Sequence, residues 1–440
     1  MRQEEKSTSL TVGVEEKLSP AKSFLYGLQH VFVSNVWLDP IYVAALIGLP
    51  LGLSANMVNA IFIAAGLVTL VQATRFVRLP VVQGPSAAFD ALMISAGKSQ
   101  NLGAAGGAII VSALIVFLLA ITGLLSRLRS FFTPVVTGTV IFIVGVALSG
   151  FTLELFLGGA PGSETFLNGG VLTMSITSAL IVLLLSVFGR GKLRSFSFLI
   201  ALVIGDLIGL LFGYINFSTV AESSWFGLPQ FLPYGELTFD WITFGAFFFA
   251  YLVAVIEAMG VYHAAAEMVD VKLDDRRIRG GFAGESLGSL ASTLIGGFPT
   301  TAYGQNVGLL RLTGVGSRHA VKVAALIFLI LGFVPKAGAL LAVTPHAVVG
   351  GIFLPAAASL IFTGLNILGG MKKTDANFMI AGISILLAIA LPDFFEETEG
   401  WLGDLLGNTI LVGGICAVLL QLILVQFPDW LSLKKGVEKQ

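Results

Sequence analysis

Two stretches of the chain decide its architecture, because neither can form a continuous helix. Residues 81–90 read VVQGPSAAFD, and residues 297–308 read GFPTTAYGQNVG. In each stretch Pro and Gly come early, small polar residues follow, and an apolar run comes next. Pro and Gly interrupt helices, and an interrupted backbone at membrane depth is tolerated only where protein or a water-filled cavity surrounds it. The pair therefore predicts a site between two broken transmembrane segments.

The composition of the whole chain is that of a membrane protein. Of its 440 residues, 56% are apolar and only 12% are Asp, Glu, Lys or Arg, and the mean hydropathy is +0.92. Soluble proteins carry roughly 25% charged residues, so this chain has too few charges to cover a soluble surface. Its net charge of −1 gives no bulk attraction to nucleic acid. Residues 1–20 form a polar tail without the apolar core of a signal peptide.

About 14 apolar segments of membrane-spanning length recur along the chain. The segments of the first half are predicted at 21–46, 56–74, 81–97, 103–124, 130–152, 170–188 and 194–215. Those of the second half are predicted at 240–265, 281–297, 299–313, 319–333, 338–366, 375–391 and 406–427. The predicted organisation is a tail (1–20), two seven-segment repeats (21–215 and 240–427) and a second tail (428–440).

The loop charges predict the orientation of these segments. With the N-terminus in the cytoplasm, Lys and Arg fall on the cytoplasmic side, and the opposite loops hold only Lys98 and Lys336. The acids on that opposite side are Glu154, Glu164, Glu222, Glu236, Asp240, Asp393, Glu396, Glu397, Glu399 and Asp404. This is the positive-inside pattern, and it predicts a cell (inner) membrane protein with both termini cytoplasmic. Seven is odd, so the halves are inverted, and matching interrupted segments in inverted halves are typical of a transporter's binding site.

Glu257 and Gln305 are the clearest candidates for binding chemistry. Glu257 lies deep in the eighth segment, where a carboxylate is costly and usually functional. It can accept hydrogen bonds from adjacent N–H groups of a planar heterocycle, and it can bind and release a proton. Gln305 offers both a donor and an acceptor, which suits a base with a carbonyl beside an N–H. Hydrogen bonding between helices is the commoner use of a transmembrane Gln.

Several other ionisable residues have two interpretations. Asp39 and Asp90 could each bind a coupling ion or lie near a membrane face, while packing or ion pairing is favoured for Asp206 and Glu285. On spacing alone, His30 is interpreted as a structural hydrogen-bonding residue. The sequence has no Walker loop, metal-ligand cluster or nucleophile elbow. These absences argue against a soluble enzyme and, without an ATP site, predict a secondary transporter or channel rather than a primary pump, with no cofactor and no metal.

The segment 305–314, QNVGLLRLTG, resembles the signature of the nucleobase–ascorbate transporter family, also called the nucleobase–cation symporter-two family. Each fixed position of that signature is matched, by Gln305, Asn306, Gly308, Thr313 and Gly314. The pair Gln29-His30 is similar to the Gln-His pair of the family's first helix. Glu257 is similar to its eighth-helix carboxylate, and Gly350-Gly351 to a glycine pair in its twelfth helix. Together these matches cover most of the chain in the expected order.

The resemblance implies a fold of two inverted seven-helix repeats, with short antiparallel strands opening segments 3 and 10. The core domain and the gate domain would each contain helices of both repeats. Glu257 and Gln305 would hold the base edge-on, and Tyr303 would stack on it beside the backbone N–H of Gly304 and the backbone around Ala87 and Ala88. Residues that would order the site are Gln29, His30, Asn306, Gly308 and Thr313. The resemblance also implies a homodimer coupled to H⁺ or Na⁺.

Gln at the first signature position resembles carriers of xanthine, urate and other purines, whereas Glu resembles uracil carriers and Pro ascorbate carriers. Two departures from the family affect the site. Ala87 stands where family members often have a Phe that forms part of the pocket wall, and Phe89 is expected to supply that aromatic ring instead. Val261 stands where some members have a His. Glu257 and Asp39 are therefore the candidates for ion coupling. We predict cation-coupled symport, favouring H⁺, of xanthine, urate, guanine or hypoxanthine. A uracil permease and an anion exchanger of the same architecture are the alternatives.

Overall fold

The structure is a computed structural model, and it describes residues 10–125, 133–395, 398 and 401–428. Its helices are α1 Pro20–Ser34, α2 Leu38–Leu46, α3 Leu51–Thr74, α4 Asp90–Lys98, α5 Leu102–Thr122, α6 Pro134–Leu157, α7 Gly169–Val187, α8 Lys192–Ser195, α9 Ser197–Leu211 and α10 Ser218–Glu222, then α11 Trp241–Met268, α12 Asp275–Leu294, α13 Gly304–Thr313, α14 Arg318–Gly332, α15 Pro335–Ala342, α16 His346–Gly369, α17 Asp375–Ala390, α18 Trp401–Leu406 and α19 Thr409–Gln421. The strands are β1 Gln83–Pro85 and β2 Thr300–Ala302. Turns of 3₁₀ helix lie at Ala87–Phe89 and Pro392–Phe394, and a π-helical turn at Leu422–Gln426.

Eight helical spans in the described part are long and apolar enough to cross a membrane. They contain α3, α5, α6, α7, α11, α16, α17 and α19. The number is nine if α14 and α15, bent by 84° at a short break, count as one span. The count of about 14 spans stays a prediction, and the predicted acids Glu396, Glu397 and Glu399 lie outside the described residues, as do 1–9 and 429–440 of the tails.

Two predicted segments differ from the observed helices. Segment 21–46 is divided into α1 and α2, because Asn35 adopts a left-handed backbone with φ 52°. Segment 338–366 was predicted too early, since residue 338 belongs to α15 and α16 begins at His346. Pro345 precedes α16, and a residue before Pro is disfavoured in helical conformation, so the chain turns there.

The two strands lie side by side in the interior. Strand β1 pairs antiparallel with β2 in the register Gln83↔Ala302, Gly84↔Thr301 and Pro85↔Thr300, and all six residues are buried. Two bonds extend the pairing, from the Ser86 N–H to the Pro299 oxygen and from the Tyr303 N–H to the Val82 oxygen, each 2.9 Å long. The broken backbone thus has internal hydrogen-bond partners, as membrane depth requires.

The helices pack in a pattern that is repeated between the two halves. Helix α3 packs on α14, and at the corresponding position of the other half α12 packs on α5. The contact of α1 with α14 likewise corresponds to that of α11 with α5 in the other half. The contact of α7 with α9 corresponds to that of α17 with α19. The most extensive pair is α6 with α16, where a Cβ added to Gly364 would lie 2.5 Å from the Phe142 backbone nitrogen. One group of helices (α1–α5, α11–α14) surrounds the strands, and a second (α6, α7, α9, α16, α17, α19) packs beside it.

Residues 11–16 form a segment, here called the N-terminal strap, that binds the turn between α13 and α14. The Thr11 N–H donates to the Gly314 oxygen at 2.8 Å, and the Arg318 N–H donates to the Val14 oxygen at 3.1 Å. Glu15 accepts from the Arg318 Nε at 2.9 Å and pairs with the Arg78 guanidinium at 3.0 Å. These bonds fix the strap to the end of α13 that lies farthest from the strands.

Candidate binding cavity

A cavity of about 1270 Å³ lies between the two groups of helices. Residues of α11, α13 and the strand ends line one wall, and residues of α6 and α16 line the other. Most of the lining is apolar, so the few polar side chains that face the cavity determine what it can bind. A largely apolar cavity with a few placed polar groups is the usual form of a small-molecule site.

Glu257 and Gln305 both line this cavity. Glu257 is half-buried on α11, and Gln305, the second residue of α13, is exposed to the cavity although β2 just before it is buried. Tyr303 precedes α13 without a side-chain cap. The first N–H groups of a helix have no partner within the helix and carry a partial positive charge. Backbone donors at the start of α13 therefore stand beside the Gln305 amide and can bind a carbonyl oxygen.

Tyr303 also lines the cavity, and its hydroxyl connects two other segments. Its Oη lies 2.8 Å from the Pro85 carbonyl oxygen and 3.1 Å from the Asp39 Oδ2. Asp39 is in the first turn of α2 and lines the same cavity. The Tyr303 ring lies so close to the backbone of β1 that a Cβ on Gly84 would be 2.7 Å from its Cζ. Only glycine fits at position 84, and this close contact with the β1 backbone fixes the position of the Tyr303 ring.

Three glycines give part of the wall a smooth surface. Gly260 of α11 and Gly304 and Gly308 of α13 all line the cavity. A Cβ added to Gly260 or Gly308 would have no protein atom within 4 Å, and one added to Gly304 would meet its nearest neighbour at 3.7 Å. Open space rather than protein therefore faces these glycines. A flat ring can approach the wall closely at this place.

The residues predicted to order the site lie mostly behind the wall. The Asn306 Nδ2 donates to the His30 backbone oxygen at 3.0 Å and lies 3.0 Å from its Nδ1. Gln29 and His30 are buried in α1. Thr313 donates to the Leu309 oxygen at 2.8 Å at the end of α13. Of this predicted set, Gly308 alone is in the cavity lining.

Of three adjacent residues predicted at the cavity, the structure places one in the lining and two outside it. Ala87 lines the cavity, but Ala88 and Phe89 are not in its lining. Phe89 is fully buried, with its ring centroid 5.7 Å from that of Tyr251 and 6.0 Å from that of Phe247. The 3₁₀ turn presents Ala87 to the cavity and directs Phe89 into the core. Phe89 is thus a packing residue rather than a replacement for a cavity-facing Phe.

Three other acids, of which Glu285 and Asp90 are buried and Asp206 is half-buried, lie outside the cavity lining. The Glu285 Oε1 accepts from the Tyr262 hydroxyl at 2.5 Å, and that hydroxyl accepts from the Gln83 Nε2 at 3.0 Å. Asp206 accepts from Thr344 at 3.2 Å. Asp90 is fully buried. The hydrogen bonds of Glu285 and Asp206 are to neutral hydroxyl groups.

Arg311 lines the cavity and was not singled out from the sequence. It follows Gly304 and Gly308 by seven and three positions, a spacing that places all three on one face of a helix. This spacing is the feature of the sequence from which Arg311 could have been predicted to face the cavity. His263 also lines the cavity.

Residues 21–397 match the sequence model of a permease family, Xan_ur_permease. The chain belongs to this permease family. The chain is 31% identical over 441 residues to a putative purine permease of Clostridium perfringens, covering 98% of this chain and 97% of that protein. It is 32% identical over 419 residues to the uric acid permease PucK of Bacillus subtilis, covering 92% and 96%.

The fold of this permease is also found among solved membrane transporters. The transmembrane domain of a cyanobacterial bicarbonate transporter, BicA, superposes with a TM-score of 0.64 over 93% of this chain and 100% of that one, at 16% identity. That likeness concerns the fold alone. Together with the apolar spans, the family shows that this permease is an integral membrane protein. The family and the named relatives are permeases, which confirms a transporter rather than an enzyme.

Proposed function

We propose that this permease carries a nucleobase across the cell membrane by cation-coupled symport, with purines such as xanthine, urate, guanine and hypoxanthine as substrates and H⁺ as the cation. The observation that carries the proposal is the position of Glu257 and Gln305 together on the wall of one cavity. Relatives named as a purine permease and a uric acid permease support the same substrate class.

The chemistry of the cavity suits a flat base with donors and acceptors on its edges. The Glu257 carboxylate accepts from two adjacent N–H groups of the ring, and the Gln305 amide pairs with a carbonyl and its neighbouring N–H. The glycine surface accepts one face of the ring, and Tyr303 lies where it can stack. A purine that offers both edges satisfies both side chains, and leaving one such buried group unpaired costs about 1–3 kcal/mol.

The cavity extends toward one side of the membrane. Its lining includes Leu125, Thr133, Met268, Arg311 and Ile367, which lie near the helix ends that border the basic loops. By the positive-inside rule these loops are cytoplasmic. We therefore propose that the structure is in an inward-facing state, with both termini in the cytoplasm. We also propose that the chain folds as two inverted repeats of seven spans and assembles as a homodimer. The paired strands and the repeated helix contacts support the two repeats.

Coupling to a proton would supply the energy for uptake. A membrane potential contributes about 2.3 kcal/mol per charge per 100 mV, enough to hold roughly a fifty-fold gradient of a neutral base. Anion exchange, the activity suggested by architecture alone, is disfavoured because Glu257 faces the cavity and would repel a small inorganic anion such as sulfate, which has no N–H group to donate to its carboxylate. Glu257 instead suits a planar ligand with N–H donors.

The test is thermal stabilisation of the purified permease by a panel of xanthine, urate, guanine, hypoxanthine, adenine, uracil, ascorbate and sulfate. A ligand at a hundred times its Kd adds about 2.7 kcal/mol of stability. We expect one or more purines to raise the melting temperature, and Gln305→Ala to abolish the rise. Gln230→Ala, in an exposed loop outside the cavity, is the matched control and should respond as the wild type. A response to uracil alone or to sulfate alone would contradict the purine assignment.

A further inference from the structure

The Tyr303 hydroxyl contacts more acceptors than it has hydrogens. Its Oη lies within hydrogen-bond distance of the Pro85 carbonyl oxygen (2.8 Å) and of the Asp39 Oδ2 (3.1 Å). A phenol has one hydrogen to donate, and a carbonyl oxygen can only accept. An ionised carboxylate also only accepts. Both contacts are satisfied together when Asp39 carries a proton and donates it to the Tyr303 Oη while Tyr303 donates to Pro85.

The same three groups can also accommodate an ionised Asp39. In that state the Tyr303 hydrogen turns to Asp39, and the Pro85 oxygen loses its donor. Asp39 lies in the first turn of α2, where helix N–H groups favour a negative charge. The break at Asn35 begins α2 inside the apolar run and so places this helix start beside the cavity. Loss or gain of one proton therefore reverses the direction of a single hydrogen bond.

That hydrogen bond links the two interrupted segments of the site. Pro85 ends β1, two residues before the cavity-facing Ala87, and Tyr303 directly precedes Gly304 and Gln305. When Tyr303 donates to Pro85, it ties the start of α13 to the end of β1. We propose that Asp39 is the residue that carries the coupled proton and that the Tyr303 hydroxyl transmits its protonation to the substrate site, an inference that rests on the proposed nucleobase transport.

The groups around Asp39 suit this role. Its titratable neighbours in the described part of the chain are Glu257 on α11, Asp90 at the start of α4, Tyr303 before α13 and Tyr42 on α2 itself. All are acids or phenols, so none supplies a positive charge that would neutralise an ionised Asp39. Because Asp39 lines the cavity, a proton from cavity water binds its Oδ atom and later returns to water. No other covalent bond changes.

Protonation of Asp39 and binding of a purine should favour each other. A Tyr303 fixed to Pro85 keeps its ring in place for the base, and coupling between two binding events is reciprocal. We therefore expect the Kd for a purine to fall as the pH falls, and each bound purine to be accompanied by proton uptake. An Asn at position 39 can donate its Nδ2 hydrogen to the Tyr303 Oη permanently, so it imitates the protonated state and cannot release a proton.

The experiment compares accumulation with exchange in proteoliposomes. Wild-type permease should accumulate labelled xanthine more than tenfold when the outside is made acidic. Asp39→Asn should accumulate none above equilibrium, yet it should still exchange internal for external xanthine at a reduced rate. Asp206→Asn removes an intramembrane carboxyl outside the cavity and should accumulate xanthine as the wild type does. Accumulation by Asp39→Asn driven by the pH gradient would overturn the inference.

A second variant keeps the inference testable if Asp39→Asn does not fold. Tyr303→Phe keeps the ring and removes the hydroxyl, so the Kd for xanthine in detergent should no longer depend on pH, whereas the wild-type Kd should. A wild-type pH slope in Tyr303→Phe would overturn the inference and leave nucleobase transport standing. If no purine stabilises the wild-type protein, the proposed function fails first, and this inference fails with it.

Discussion

The Asn306 side chain joins two sequence motifs that lie 276 residues apart, because its Nδ2 lies 3.0 Å from both the backbone oxygen and the Nδ1 of His30. Asn306 follows Gln305 directly, and its own side chain is fully buried between α13 and α1. The residue that faces the cavity and the residue that anchors the helix are thus neighbours in sequence on different faces of α13. The anchor determines where Gln305 points.

Loss of the contact between Asn306 and His30 should lower the stability of the folded protein more than it changes substrate binding. Asn306→Ala removes a second donor from the His30 oxygen and the partner of the buried His30 Nδ1, and leaving a buried polar group unpaired costs about 1–3 kcal/mol, so the melting temperature in detergent should fall. His30→Ala retains the bond from Asn306 to the residue-30 backbone and should cost less. A melting temperature for Asn306→Ala equal to that of the wild type would contradict this role.

Gln305→Glu should change which bases bind. The amide offers a donor and an acceptor, whereas an ionised carboxylate only accepts, so a purine carbonyl would face an acceptor. We expect purine affinity to fall roughly 5- to 150-fold, the range that corresponds to 1–3 kcal/mol, and uracil to gain relative to purines. Competition binding with labelled xanthine measures both changes. Equal losses for every base would point to a general defect in the cavity instead.

Glu257→Gln should weaken binding because an amide replaces one acceptor oxygen with a donor, which faces the ring N–H groups. We expect at least a tenfold rise in the Kd for xanthine, measured by calorimetry. Glu154→Gln is the matched control, since Glu154 pairs with Lys98 on the surface at 2.8 Å and should leave the Kd unaltered. If Glu257→Gln takes up xanthine as fast as the wild type and with the same dependence on pH, the Glu257 carboxylate has no role in transport.

Gly84→Ala tests the close approach between β1 and Tyr303. The added Cβ would lie 2.7 Å from the Tyr303 Cζ and 2.7 Å from a Val36 side-chain carbon, so the ring must move. We expect reduced purine affinity together with a lower melting temperature. Gly150→Ala, where a Cβ on α6 meets nothing within 4 Å, controls for the loss of a helix glycine. Wild-type affinity in Gly84→Ala would show that the ring position is not critical.

The N-terminal strap should confer a pH-dependent part of the stability. Hydrogen bonding from Arg318 holds the pKa of Glu15 below its ordinary value. A carboxyl with a lowered folded-state pKa stabilises the protein above its unfolded pKa, and this contribution disappears as the pH falls through the folded value. Glu15 is half-exposed, so the contribution should be about 0–1 kcal/mol.

The measurement for the strap is the melting temperature of wild type and Glu15→Gln across pH. The difference should be present at pH 7, should begin to shrink near the ordinary Glu pKa of about 4.3, and should vanish once the pH is below the lowered pKa of Glu15 in the folded protein. Glu164→Gln, an exposed acid, is the control for a general effect of charge. A difference that stays constant into acid would contradict the assignment to Glu15.

Much of the fold could be predicted from apolar run length, because membrane-spanning helices must be long and apolar. The break at Asn35 could not, since residues 36–38 continue the apolar run and the left-handed residue is not a glycine. Glu257 and Gln305 were predictable because polar groups are rare at membrane depth. The contact between Asp39 and Tyr303 was not, since it joins positions 264 apart and no local pattern encodes it.

The N-terminal strap has a consequence for biosynthesis. Its partners begin at Gly314, 303 residues after Thr11, so the strap is synthesised long before its binding site. At 5–20 residues per second, the strap waits roughly 15–60 s before its turn exists. Until then the Glu15 side chain is without Arg318, and the strap docks only after helices α1 to α13 have been synthesised.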